Sequence, residues 1–141
     1  ERSALDAAVA ALKEAGARRA VPLPVSAPFH TTLMTPAGER LRAALADLCV
    51  EAPAIPVVHN VNAETASDPA VIRTLLIRQI SSPVRWTDCV RALAAAGATR
   101  IAECGPGKVL GGLNRRIDRG LESWYLEAPA DLDALRAALA A

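Results

Sequence analysis

Two histidines, three cysteines and one glycine-rich turn are the groups in this chain whose chemistry could reach beyond packing. His30 closes the segment PVSAPFH, residues 24–30, in which two prolines forbid a helix and hold the backbone extended. A helix start follows at Thr35-Pro36, so His30 stands in a loop between an extended segment and a helix. Such loops are where α/β proteins carry reactive groups, and a near-neutral imidazole can both take and return a proton. His30 is the candidate base, with an ordinary loop histidine as the competing reading. His59 lies in VVHNV, residues 57–61, a β-branched run that predicts a strand, and there a hydrogen-bonded structural histidine is expected.

The turn CGPGKV, residues 104–109, invites a phosphate-loop reading, because glycines let backbone N–H groups approach an anion at a helix N-terminus. The details disagree. A Walker loop requires glycine where Ala102 stands and a hydroxyl residue where Val109 stands, and the dinucleotide pattern requires glycine at Leu110. A tight strand-to-helix turn at Gly105-Pro106-Gly107 is the plainer expectation. Cys104 could be a nucleophile but is expected to be a buried strand cysteine, with Cys49 and Cys89 on helices. Three widely spaced cysteines without a CxxC pair argue against a disulfide framework and a zinc site, and fit a reducing, cytoplasmic setting. No metal is expected, and no pair of carboxylates stands apart from solvated helix faces.

These groups must be positioned by 141 residues, about one domain, of which 52% are hydrophobic. A net charge of +1 gives no reason to expect a nucleic-acid partner, and no apolar run reaches the roughly 20 residues needed to span a bilayer. Leu5, Val9 and Leu12 recur at helical spacing over residues 4–15, with Gly16 as the stop. Residues 20–26 read as an extended, edge-type strand. Leu41, Leu45 and Leu48 predict a helix from Thr35-Pro36 to about residue 49, and residues 55–61 predict a short strand. Asp68-Pro69 opens a helix carrying Ile72, Leu75, Leu76 and Gln79. A helix over 87–96 stops at Gly97, a strand over 99–104 runs into the glycine turn, and a short helix follows it. A last helix over 131–140 carries Leu132, Leu135 and Leu139. Alternating strands and helices imply an α/β architecture with a largely parallel sheet.

Four blocks, RRAVPLPVSAPFHTTLMTPA (18–37), APAIPVVHNVNAE (52–64), IRQISSPVRWTDCV (77–90) and AECGPGKVLGGLNRRI (102–117), together resemble the C-terminal part of malonyl-CoA:acyl carrier protein transacylases. The resemblance implies that residues 1–27 end a ferredoxin-like small subdomain and that 28–141 form the C-terminal portion of an α/β-hydrolase-like acyltransferase domain. It implies transfer of malonyl from the coenzyme A thioester to the phosphopantetheine thiol of acyl carrier protein through an acyl-serine, with no further cofactor. His30 falls on the family's catalytic base, and Gln79 on the residue whose backbone carbonyl orients that histidine. Phe29 falls on the residue associated with malonyl selectivity, and Gly105-Pro106-Gly107 on a structural turn.

The family's GxSxG serine and its carboxylate-clamping arginine have no counterpart here; Ser26, Ser81 and Ser82 stand in no such elbow. The expectation is a C-terminal fragment, or one of two chains, inactive alone and partnered by a serine-bearing half. Charge complementarity suggests that the acidic carrier meets some of Arg73, Arg78, Lys108, Arg115 and Arg116. The alternatives are a non-catalytic carrier-protein docking module and an unrelated small α/β binding domain, the latter favoured if His30 and Gln79 lie far apart.

Overall fold

The structure is a computed structural model that describes residues 1–140. Six helices and two strands run in the order α1 (Arg2–Glu14), α2 (Thr35–Ala46), α3 (Pro69–Gln79), α4 (Trp86–Ala95), β1 (Arg100–Cys104), α5 (Val109–Ile117), β2 (Glu122–Leu126) and α6 (Pro129–Ala140). The strands pair in parallel, Arg100 opposite Glu122 and Cys104 opposite Leu126, so β1, α5 and β2 make one crossover unit. Helix α5 packs on both strands, α6 on β2, and α4 on α5, while α2 packs on α3. Helix α1 packs against none of the other elements, and its Leu5 and Leu12 are exposed.

The start of α3 follows its sequence signal: the Asp68 side chain accepts the N–H groups of Ala70 and Val71, and Pro69 occupies the first turn, where no donor is missed. The start of α2 differs from expectation. Met34 is the capping residue and Thr35 is already helical, its hydroxyl donating to the Thr32 carbonyl at 2.7 Å within a preceding 3-10 turn. That helix ends at Ala46, which leaves Cys49 beyond it in irregular chain.

Two expected strands do not form. Residues 20–26 have no ladder partner, and in 55–61 the pairing is a single antiparallel bridge between Val58 and Thr65. Hydrogen bonds close residues 59–64 into a turn, the His59 N–H donating to the Glu64 carbonyl and the Ala63 N–H to the His59 carbonyl. β2, which had no sequence expectation, is the strand that completes the sheet. It follows a turn closed by the Gly120 N–H donating to Asp118 Oδ1 at 2.8 Å.

The core is small and is shared between the α2–α3 pair, α4 and the approach to β2. Leu45, Val61, Ile72, Leu75, Cys89, Val90 and Leu121 are its buried apolar side chains. Asn114 on α5 is also fully buried, its Oδ1 accepting the Trp86 indole N–H at 3.1 Å, which ties α5 to the start of α4. No helix among the described residues is long and apolar enough to cross a membrane.

Candidate functional site

Helices α2 and α3 lie antiparallel and are joined at both ends. At one end the Arg73 guanidinium donates to the Leu48 carbonyl, just past the end of α2. At the other, His30 Nδ1 lies 3.1 Å from the carbonyl oxygen of Gln79, the last residue of α3. Between them the buried Gly38 faces α3, where a Cβ would make an ordinary van der Waals contact at 3.6 Å from the Ile77 carbonyl oxygen.

A carbonyl oxygen can only accept, so the hydrogen bond requires the proton on Nδ1 and leaves the Nε2 lone pair free. Gln79 O is available for this because a helix leaves its last four carbonyls without intrahelical donors. Its other partner is the Ser82 N–H, at a longer 3.4 Å. The arrangement does with a helix terminus what a carboxylate does in a Ser-His-Asp triad: it selects a tautomer and fixes the ring. The Gln79 side chain takes no part in this bond.

The loop presenting His30 is tightly folded. The Phe29 N–H donates to Ala27 O at 2.9 Å, and Thr31 Oγ1 donates to Pro28 O at 2.8 Å. His30 itself has φ of 59°, in the left-handed region, which costs an L-residue about 1–2 kcal/mol. Backbone strain of this kind persists where the surroundings over-determine it. Thr31 had no sequence expectation; its hydroxyl reaches back three residues to the main chain, a local bond that Ser and Thr readily make. Phe29 is 53% exposed beside the histidine.

The glycine turn lies between β1 and α5, and both its glycines need their residue type: Gly105 has φ of 122° and Gly107 of 96°. The helix N-terminus behind it is not open to a foreign anion. Glu103, on β1, places one carboxylate oxygen 3.1 Å from the Leu110 N and the other 2.9 Å from the Gly111 N, both N–H groups donating. The protein therefore supplies its own anion where a phosphate would sit, an independent reason against the phosphate-loop reading.

The remaining candidates separate. His59 is buried but outside any strand, and its Nε2 has no hydrogen-bond partner. Its carbonyl accepts a weak bond from the Cys89 thiol at 3.7 Å, and burial pushes that thiol up from its ordinary value. Cys104 is exposed rather than buried, because it shares the outward parity of β1 with Arg100 and Ala102. Among the described residues no group of three or more His, Cys, Asp or Glu could hold a metal ion.

No family model matches the chain. Whole-sequence comparison gives 47% identity over 133 residues to the malonyl CoA-acyl carrier protein transacylase of Salmonella typhimurium, covering 94% of this chain and 43% of that protein. The crystal structure of malonyl-CoA:acyl carrier protein transacylase from Xanthomonas oryzae superposes with a TM-score of 0.90 at 52% identity, covering 96% of this chain and 43% of that one. A malonyl-transacylase in complex with its type II PKS acyl-carrier protein superposes at 0.89 with 40% identity, over 95% of this chain and 43% of that one. The chain thus spans less than half the length of the relatives it matches. Within that span, a polypeptide 40–52% identical to these proteins, and folded as they are, is homologous to part of the malonyl CoA-acyl carrier protein transacylases.

Proposed function

We propose that this chain supplies the proton-transfer base of a malonyl-CoA:acyl carrier protein transacylase, and that the base is His30. The observation that carries the reading is the Nδ1 contact with Gln79 O, which leaves Nε2 as the acceptor. In the first half-reaction Nε2 takes the proton of a serine hydroxyl as its oxygen attacks the malonyl thioester. The carbon–sulfur bond then breaks, and Nε2 returns the proton to the departing coenzyme A thiolate. In the second, Nε2 takes the proton of the carrier's phosphopantetheine thiol, whose sulfur attacks the acyl-serine, and the serine oxygen leaves with that proton. The serine belongs to the length of the relatives that this chain does not span, so the 141 residues alone are expected to be inactive.

In this reading residues 1–27 close a ferredoxin-like subdomain and 28–141 belong to an α/β-hydrolase-like domain; the absence of packing between α1 and the other elements fits that division. Phe29, exposed next to His30, favours malonyl as the acyl group. Of the five cations some of which are expected to meet an acidic carrier, Arg78 stands one residue from Gln79 and suits a surface beside the base. Arg73 does not, because its guanidinium is engaged with the Leu48 carbonyl at the far end of the helix pair. An unrelated α/β domain would be favoured by a wide separation of His30 and Gln79, which instead lie within hydrogen-bond distance.

The test is malonyl transfer to carrier protein by the intact enzyme. His30→Ala should lower kcat by a factor of about 100 to 10,000, the usual worth of a positioned acid–base group. Gln79→Ala should leave kcat within about threefold, since the acceptor is main chain and the bond is retained. Unchanged turnover in the histidine variant overturns the assignment, and loss of turnover in the Gln79 variant overturns the main-chain account of its orientation.

A further inference from the structure

The carbonyl that meets His30 is kept open by the residue that follows α3 four places on. In an α-helix each carbonyl accepts from the N–H four residues further along. For the last four carbonyls of α3, those of Leu76, Ile77, Arg78 and Gln79, the matching residues are Ile80, Ser81, Ser82 and Pro83. Gln79 alone is matched to a proline. Pro83 has no N–H, and its ring, were the helix to continue, would run into the carbonyl four residues before it. The oxygen that lies 3.1 Å from His30 Nδ1 is therefore the one whose helical donor is missing.

The last turn shows the consequence. The N–H groups of Ile80, Ser81 and Ser82 donate three residues back, to the carbonyls of Ile77, Arg78 and Gln79 at 3.3, 3.3 and 3.4 Å, a tightened turn in place of further α-helix. Beyond Pro83 the chain is drawn elsewhere: the Arg85 N–H donates to the Asn60 carbonyl at 2.8 Å, and α4 begins at Trp86. Packing within this chain does not account for the proline, which is exposed, as is Val84 after it. A carbonyl oxygen has two lone pairs, and His30 and the long Ser82 bond already use them. An N–H at position 83 would bring a third donor to a filled acceptor.

We propose that Pro83 is a positioning residue for the transfer reaction: by carrying no N–H it reserves the Gln79 carbonyl for His30 Nδ1, and so keeps Nε2 as the acceptor. The inference rests on the assignment of His30 as the base. An alanine at position 83 supplies the missing donor along the helix axis, and alanine is the strongest helix former. The Gln79 oxygen is then drawn into the helical ladder and away from the imidazole. Which ring nitrogen carries the proton is set by the hydrogen bond it makes. An imidazole released from its Nδ1 partner goes over to the Nε2–H form, which cannot accept a proton at Nε2.

The experiment compares the intact enzyme with Pro83→Ala and with the ester analogue of that variant, in which lactic acid replaces the alanine, so that an oxygen stands in place of the N–H and no ring is present. The readouts are the NMR shifts of the His30 imidazole nitrogens, assigned by their loss in His30→Ala, and kcat and KM for malonyl transfer. Pro83→Ala should move the imidazole from Nδ1–H toward Nε2–H and lower kcat about tenfold, the upper end of what one neutral hydrogen bond is worth, with KM for malonyl-CoA unchanged. The ester analogue should restore both. Pro83→Gly, with the same N–H but a poor helix former, should fall between wild type and Pro83→Ala. Retention of the Nδ1–H form and of kcat in either folded variant overturns the proposal. So does an ester analogue as impaired as Pro83→Ala, because the ring's hold on the chain direction is then what counts. A tautomer change without a fall in kcat, in an enzyme that His30→Ala inactivates, also overturns it. The imidazole shifts report on Pro83 whether or not His30 is the base, so failure here is distinguishable from failure of that assignment.

Discussion

The left-handed backbone at His30 inverts an ordinary rule of stability. In most positions alanine is more stable than glycine by about 0.4–1 kcal/mol, because glycine gives the unfolded chain more freedom. At φ of 59° an alanine keeps a steric penalty of about 1–2 kcal/mol that glycine does not feel. Both replacements lose the same Nδ1 bond to Gln79 O, so that term cancels in the comparison. His30→Gly should therefore be more stable than His30→Ala by about 1 kcal/mol, although neither has the imidazole. With a urea dependence of about 2 kcal/mol per molar, the glycine variant unfolds at a midpoint about 0.5 M higher. The measurement is equilibrium urea unfolding of the intact protein with both variants, comparing midpoints at equal slope. His30→Asn should fall between them, since asparagine visits the left-handed region more readily than alanine. An alanine variant that unfolds at the same urea concentration as glycine, or higher, would show that the loop relaxes out of this conformation and that no strain is held there.

Glu103→Ala removes the acceptor for two helix N–H groups and should cost about 1–2 kcal/mol, seen as a lower urea midpoint, with Glu103→Gln intermediate because one oxygen remains. Cys49 and Cys104 are exposed and should react with a thiol reagent in the folded protein, whereas Cys89 should react only on unfolding. Because burial raises the Cys89 thiol above its unfolded value, the unfolded chain loses that proton first as pH rises; stability should fall through the alkaline range, and Cys89→Ala should flatten that decline.

The helices were legible where a local signal fixed their ends. Asp68-Pro69 marks the start of α3 to the residue, and Gly16 and Gly97, both left-handed, follow the ends of α1 and α4. Strands were harder because their existence depends on a partner distant in sequence. VVHNV has the composition of a strand, yet it is drawn into a turn that bonds to itself and to the Arg85 N–H. ESWYL lacks β-branched residues and follows a glycine turn, yet it pairs along its whole length with β1. At the site, His30 was picked out by its place in the chain and by the resemblance, but nothing local could reveal its backbone angle. The Gln79 role came from the resemblance alone, because the atom concerned is present in every residue. Glu103 was invisible for a related reason: its importance comes from where the following turn returns the chain.

The main-chain nature of the histidine's partner has a consequence for protein engineering. An acid in a triad occupies its position permanently, since any replacement changes the chemistry. Here the orienting atom is present whatever side chain stands at position 79, so the identity of that residue is free as far as the ring's orientation is concerned. A library built there could vary the side chain while leaving the imidazole oriented, and the constraint on inheritance moves from the identity of a side chain to the place where a helix stops.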